Sequence, residues 1–326
     1  MRSRRRVIKR KGAIDLFIFF TVGLAGCGKS SFYNTLVNER KDDPDANEII
    51  HVSSDKIRGE LYGNEEDQTN PSAVFAEMEK RTIAALVAGM DVYYDATNLS
   101  AKRRINFVRV INDRLRKKGI TDIHFRCFLF ATPYEVCLER NSKRDRVVPQ
   151  YAMEKMYKSF EPPHKSEGWD DIIIVTPMLK DRINYWHDFL ENCNKIDQCN
   201  HHHTLTIGKH MEAARDWALE HDYPFDVIVA AALHDVGKVF TKTFTDAKGK
   251  SISEAHYFNH ANTSAYDVLV NRYSYDENFW LDIANLIVHH MDFYNSETYL
   301  EKLKNRYGEE FFSKLNMLHA ADINAK

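Results

Sequence analysis

No two of the five cysteines (Cys27, Cys127, Cys137, Cys193 and Cys199) form a C-x-x-C pair, and their number is odd. That scatter excludes a zinc knuckle and a disulfide framework and predicts reduced thiols, as in a cytoplasmic protein. No segment reaches the 18 or more consecutive apolar residues needed to span a bilayer, so no membrane partner is expected. There is no internal repeat and no low-complexity tract beyond a basic N-terminal arm, which excludes solenoid and fibrous classes.

What is present is an ordinary globular composition, 44% hydrophobic and 28% charged over 326 residues, a length that suggests about two domains. The net charge of −2 hides an asymmetry. Residues 1–199 carry 33 Lys+Arg against 29 Asp+Glu, and residues 200–326 carry 12 against 18. Of the 15 histidines, 11 lie after residue 199, which points to metal chemistry in the second half. The N-terminus imitates a lipoprotein signal: seven Lys or Arg in residues 2–11, an apolar run from Ala13 to Val22, then Leu24-Ala25-Gly26-Cys27. Asp15 interrupts that run, and the same residues form a phosphate-binding motif that cleavage would destroy.

Continuous apolar runs at Ile14–Val22, Glu48–Ser53, Asp91–Asp95, Ile123–Phe130 and Asp171–Val175 predict strands covered on both faces. Helical patterns lie between them at Lys29–Asn38, Ser72–Ala88, Ala101–Lys118, Pro133–Arg140 and Gln150–Phe160. Alternating units of this kind predict an α/β fold with a parallel doubly wound sheet. After Val175 the pattern becomes helical. The expected division is a basic arm over 1–12, an α/β domain over 13–180, a connecting helix and linker over 181–199, and an all-α domain over 200–326. The 181–199 stretch is polar, and few contacts are expected across it. The Thr/Ser-rich stretch between Lys238 and His256, with Asp246-Ala247-Lys248-Gly249 at its centre, predicts a hairpin or loop excursion.

Gly23-Leu24-Ala25-Gly26-Cys27-Gly28-Lys29-Ser30 fits G-x-x-x-x-G-K-[ST] between a predicted strand and a predicted helix. Gly23, Gly26 and Gly28 let backbone N–H groups curl around the phosphates of ATP, with Ser31 in the first helical turn. Lys29 is expected to reach the β/γ-phosphates, and the Ser30 hydroxyl to ligate Mg²⁺. Asp55 follows the second strand and faces the cleft of such a sheet, where it could take a proton from an attacking hydroxyl; it could equally cap the next helix. Arg58 could hold a substrate phosphate. Asp95, at the end of the third strand, is placed for Mg²⁺ or its waters, and the following Lys102, Arg103 and Arg104 for phosphate. The run Glu139-Arg140-Asn141-Ser142-Lys143-Arg144, with Arg146 beyond it, reads as an arginine-bearing lid.

Asp55-x-x-Arg58, Asp95-Ala96-Thr97-Asn98-Leu99 and Arg140-Asn141-Ser142-Lys143-Arg144 with Met156-Tyr157-Lys158-Ser159 resemble the kinase domain of phage polynucleotide kinase, over residues 14–177. The resemblance implies that Asp55 is the general base for a 5′-hydroxyl, Arg58 a phosphate ligand, and Arg140 and Arg144 lid arginines on ATP. The polynucleotide substrate, RNA ahead of DNA, rests on this resemblance. Other small P-loop kinases share the phosphate loop and lid.

In the second half, His234-Asp235 ends an apolar helix over 225–236, where unpaired charge would be costly and a shared metal would not. The order His210, His234-Asp235, His260, His289, Asp322 resembles the HD phosphohydrolase superfamily, and His260 and His289 imply its two-metal subgroup. Asp235 is then the bridging ligand and Lys238 a phosphate-holding group. His201, His202, His203, His256 and His290 stay open between ligand-supporting and plain roles. Imidazole donors suit Mn, Fe, Co, Ni or Zn better than Mg²⁺. No D-x-D-x-T phosphatase motif and no K-x-D-G ligase motif occurs. The combination suggests end healing: 5′-phosphorylation by one domain and removal of a 2′,3′-cyclic, 2′- or 3′-phosphate by the other. A nucleoside or metabolite kinase fused to a nucleotide-hydrolysing HD domain is the rival.

Overall fold

The computed structural model describes residues 15–177, 182–200, 204–272 and 276–325. The expected basic arm over 1–12 and His201, His202 and His203 lie outside the described residues.

The first half is a five-stranded sheet of β1 (Leu16–Val22), β2 (Ile49–Ser53), β3 (Asp91–Asp95), β4 (Ile123–Phe130) and β5 (Asp171–Val175), in the order β2-β3-β1-β4-β5. All four pairings are parallel. Parallel strands need crossovers, and the helices α1 (Lys29–Arg40), α2 (Ser54–Tyr62), α3 (Pro71–Val87), α4 (Ala101–Arg116), α5 (Tyr134–Ser142) and α6 (Gln150–Lys158) supply them. The central strand β1 is nearly all buried, as its unbroken apolar run requires. The carboxyl ends of β1, β2 and β3 converge, which sets the phosphate loop beside Asp55 and Asp95.

The second half holds α7 (Arg182–Cys193), α8 (Ile207–Glu220), α9 (Phe225–Leu233), α10 (Lys238–Thr241), α11 (His260–Asn271), α12 (Glu277–His289), α13 (Glu297–Tyr307) and α14 (Glu309–Asn324). The Thr/Ser-rich excursion is an antiparallel hairpin of β6 (Lys242–Thr245) and β7 (Ser251–Tyr257), turned at Gly249 with φ of +81°. Among the described residues no helix is long and apolar enough to cross a membrane.

The halves meet across buried contacts, which corrects the expectation that few would cross. Tyr266 on α11 donates to the carbonyl of Thr132, and Tyr157 on α6 donates to Asp267. Asn262 Nδ2 donates to the Phe160 carbonyl at 2.9 Å, and the rings of Phe160 and Tyr266 meet edge to face. A polar linker sequence reports only on the linker itself. The apolar residues that pack the halves together come from α6 and α11, where they are indistinguishable from ordinary core.

Candidate active sites

The phosphate loop leaves β1 and enters α1. Gly26 and Gly28 have φ of +77° and +103°, a region side-chain-bearing residues rarely adopt. A Cβ on Gly26 would also lie 2.5 Å from the Cys137 carbonyl oxygen, so the loop is packed against α5. Lys29 Nζ donates to the carbonyls of Gly23 (3.1 Å) and Leu24 (2.7 Å), which holds it at the loop's mouth. Ser30 Oγ donates to Asp95 Oδ2 at 2.8 Å, so the two expected Mg²⁺ groups are adjacent.

His51 also reaches Asp95 Oδ2, at 3.0 Å, from the neighbouring strand β2, with Tyr33 stacked on its ring. Burial pushes the Asp95 carboxyl up, but His51, Lys29 and Ser30 outweigh it and hold the group below its ordinary value. His51 has no signal in the sequence, because its partner is 44 residues away.

Asp55 lies in the first turn of α2, between arginines. Arg58 Nη1 is 2.7 Å and Arg146 Nη1 3.0 Å from Oδ1, and Arg144 is 3.9 Å from Oδ2. Burial raises its pKa, but Arg146 and Arg58 together bring it below the usual carboxylate value. Arg58 is buried and also donates to the Glu65 carbonyl at 3.1 Å. Arg140 Nη1 lies 3.7 Å from where a Cβ on Gly28 would sit, so it covers the phosphate loop. One cavity of about 890 Å³ joins these groups; Gly26, Gly28, Lys29, Ser30 and Ser31 line one part, and Asp55, Arg58, Arg103, Arg144, Arg146 and Lys155 the rest. Arg104 does not take part. It is fully buried and pairs with Glu167 through two bonds of 2.6 and 2.7 Å, so of the expected basic triplet only Arg103 faces the cavity.

The second site forms where α8, α9, α11, α12 and α14 meet. His210 Nε2 and His234 Nε2 are 3.3 Å apart, and His260 Nε2 and His290 Nε2 are 3.2 Å apart. Asp235 lies between the pairs. Its Oδ2 is 3.5 and 3.4 Å from His210 and His234; its Oδ1 is 3.3 and 3.8 Å from His260 and His290. Asp322 Oδ1 is 2.9 Å from His210 Nε2. His290 takes the place expected of His289. The latter points away, with Nδ1 2.6 Å from Asp292 and Nε2 2.9 Å from the Tyr307 hydroxyl. The two are adjacent in sequence, and α12 ends at His289, so helical spacing could not choose between them.

These residues fit a metal. In all four histidines Nδ1 lies against a backbone carbonyl: Ala325 (3.1 Å), Ala231 (2.8 Å), Tyr257 (2.8 Å) and Ile287 (2.6 Å). A carbonyl only accepts, so each Nδ1 carries its proton and each Nε2 turns inward as a potential ligand. Two nitrogens each about 2.0–2.1 Å from one ion lie roughly 3–3.4 Å apart, the spacing of both pairs. Asp235 Oδ1 is buried with no hydrogen-bond partner, an orphan that a cation would satisfy. Burial disfavours a charged His234, but Asp235 and Asp322 outweigh it and push its pKa up to about 10; burial, with His234 and His260 nearby, pushes His290 down to about 3.

Lys238 Nζ is buried, 2.6 Å from Asp235 Oδ2 and 2.8 Å from Gln198 Oε1. Gln198 is fully buried, and neither it nor Tyr257, whose ring faces Lys238 at 5.4 Å, was legible as a site residue. Gly237 permits the whole arrangement: a Cβ there would lie 2.4 Å from the His260 carbonyl oxygen, so the His234-Asp235 turn rests directly on α11.

Residues 18–163 match the AAA domain family and residues 201–323 match the HD domain family. The chain is a P-loop kinase domain followed by an HD domain. It is therefore an enzyme whose first domain implies ATP and Mg²⁺ and whose second implies a divalent metal. Among solved structures, a fungal RNA kinase is 18% identical over 51% of this chain and 76% of its own, with a TM-score of 0.37. The Pnkp1/Rnl/Hen1 complex is 25% identical over 44% of each chain, with a TM-score of 0.30, so this chain spans less than half of that one. A gluconokinase from Sinorhizobium meliloti 1021 is 17% identical over 50% of this chain and 82% of its own, with a TM-score of 0.31.

Proposed function

We propose that the chain is a bifunctional nucleic-acid end-healing enzyme. The P-loop kinase domain transfers the ATP γ-phosphate to 5′-hydroxyl polynucleotide ends, RNA ahead of DNA. The HD domain removes a 2′,3′-cyclic, 2′- or 3′-phosphate.

The observation that carries the reading is the single cavity of about 890 Å³ from the phosphate loop to Asp55, lined beyond Lys29 by Arg58, Arg103, Arg144, Arg146 and Lys155. That volume is near the top of the range of small-molecule pockets, about 300–1,000 Å³. ATP fills the end at the loop, and the basic end suits an acceptor that brings its own backbone phosphates.

The geometry supports direct transfer to that hydroxyl. The 5′-oxygen attacks the γ-phosphorus, the bond from that phosphorus to the β-bridging oxygen breaks, and ADP leaves. The hydroxyl proton passes to Asp55, which its arginines keep ionised. Lys29, Arg140 and Arg144 neutralise the charge spread over the transferring group. Ser30 and Asp95 would hold Mg²⁺, which screens the phosphate oxygens, and His51 fixes the Asp95 carboxylate toward it.

In the HD domain His210, His234, Asp235 and Asp322 would hold one ion, and His260, His290 and Asp235 a second. Such an ion, Mn, Fe, Co, Ni or Zn, supplies Lewis acidity toward a phosphate and a water. Lys238 offers a buried positive charge for the phosphate to meet.

Labelled ATP offered with 5′-OH RNA, 5′-OH DNA, nucleosides and sugar acids tests the kinase reading. Oligonucleotides should be labelled and nucleosides not. Labelling of nucleosides or sugar acids alone would establish the small-molecule rival.

A further inference from the structure

The chain around the end of α5 joins the two ends of the kinase cavity. Arg140, in the last turn of α5, covers the phosphate loop, and Arg146, beyond the helix end, reaches Asp55. The segment that carries Arg144 and Arg146 is pinned. Asn141, 3% exposed, donates through Nδ2 to the Val148 carbonyl at 2.8 Å, and its Oδ1 accepts from the Val148 N–H at 3.0 Å. One buried amide therefore closes the lid loop. The helix α5 is in turn seated on the phosphate loop, where a Cβ on Gly26 would lie 2.5 Å from the Cys137 carbonyl oxygen and 3.4 Å from the Asn141 backbone nitrogen. The placement of Arg146 is thus tied to the loop that would hold ATP.

The cations around Asp55 are unevenly shared between its two oxygens. Arg58 donates to Oδ1 at 2.7 Å, and Arg146 Nη1 lies 3.0 Å from that same oxygen. Oδ2 has only Arg144, at 3.9 Å, beyond hydrogen-bond reach. Two close guanidinium groups make Oδ1 the poorer base, which leaves Oδ2 to take a proton. Arg58 sits one turn along α2 from Asp55, so it belongs to the same element as the carboxylate. Arg146 arrives from another element and fixes the carboxylate from outside the helix.

We infer that Arg146 is a positioning residue of the kinase: held by the Asn141–Val148 clasp, it turns Asp55 so that Oδ2 meets the acceptor hydroxyl when the lid is closed. The inference rests on the kinase reading above, in which Asp55 is the base, and it ties that base to the lid. The segment that brings Arg140 over ATP also sets the carboxylate that receives the proton. A carboxylate free to turn would present Oδ2 only part of the time, and a small misplacement of a reacting group can cost about 100-fold in rate.

The charged groups that face Asp55 are Arg58 from α2 and Arg144 and Arg146 from the lid. Burial pushes its carboxyl up; Arg146 first, then Arg58, bring it below its ordinary value. Without Arg146 less positive charge opposes burial, so Asp55 takes up its proton at a higher pH. The base works only when ionised, so the acid limb of the rate moves the same way.

The test is steady-state phosphorylation of a 5′-OH RNA oligonucleotide by the full chain, across the acid range in which it stays folded, for wild type, Arg146→Gln and Arg146→Lys. Arg146→Gln should lower kcat about 10- to 100-fold, leave KM for ATP and for the oligonucleotide little changed, and move the acid limb to higher pH. Lysine returns the charge without the planar guanidinium, so Arg146→Lys should restore the limb and recover only part of kcat. A raised oligonucleotide KM with kcat and the limb unchanged would make Arg146 a substrate ligand and overturn the inference. A loss of kcat with an unmoved limb, or no change at all, would overturn it too. The carbon-13 signal of the Asp55 carboxylate, followed by NMR without substrate, gives a reading independent of turnover. Asp55 should protonate at a higher pH in Arg146→Gln than in wild type, and identical titrations would sink the proposal. If that difference holds while wild type labels no oligonucleotide, the polynucleotide reading fails and the contact from lid to base stands.

Discussion

Tyr266 of the HD domain donates its hydroxyl proton to the carbonyl of Thr132, whose own hydroxyl donates to the carbonyl of Cys27 in the phosphate loop at 3.0 Å. Tyr266 sits on α11, the helix that begins at His260 of the candidate metal site. One helix therefore touches the machinery of both domains.

Removing that hydroxyl should be felt in both. Tyr266→Phe leaves a buried ring in place and takes away one bond, which should cost about 1–2 kcal/mol of stability. The loop brace loosens, so ATP affinity should fall several-fold while nucleic-acid affinity changes little. Calorimetric ATP titration and thermal melting check this; unchanged ATP binding would show that the contact is only structural. For the same reason a fragment ending near residue 180 should melt below the full chain, since it uncovers the buried rings of Tyr157 and Phe160.

Metal content should separate the two adjacent histidines. His290→Ala removes an inward Nε2 3.2 Å from that of His260, whereas His289→Ala removes a partner of Asp292 and Tyr307. Bound transition metal per chain, measured by mass spectrometry, should drop for His290→Ala and Asp235→Ala and stay at the wild-type level for His289→Ala. Loss in His289→Ala with retention in His290→Ala would reverse the assignment.

The legible parts of this protein were those that local pattern encodes. The strands over 91–95, 123–130 and 171–175 could be bounded because continuous apolar runs end at turn signals. The phosphate loop and His234-Asp235 could be read because their chemistry lies within a few consecutive residues. Contacts made over long separations were not legible. His51 on Asp95, Gln198 on Lys238 and Glu167 on Arg104 each join residues that only the fold brings together.

Acid should weaken the domain junction through His164. Its ring lies 4.6 Å from that of Tyr307 across the interface, and burial lowers its pKa to about 4 from an ordinary 6.5. The unfolded chain therefore takes up the proton first as pH falls. Stability is unaffected above pH 6.5, declines between about 6.5 and 4, and levels off below, by at most about 2 kcal/mol at pH 5. Melting temperatures across that window should show a shallower acid slope for His164→Phe than for wild type; equal slopes would remove His164 as the cause.

The central claim is that one chain heals both ends of a break, each in its own domain. The direct measurement is a broken RNA strand with a 5′-OH on one fragment and a 2′,3′-cyclic phosphate on the other, incubated with ATP, Mg²⁺ and Mn²⁺ and followed at both ends. Wild type should phosphorylate the first end and clear the second. Asp55→Ala should slow only the first, by about 10²–10⁴-fold for loss of a general base, and Asp235→Ala should abolish only the second. Clearance of phosphate from free nucleotides but from neither RNA end, or full 5′-phosphorylation by Asp55→Ala, would contradict the account.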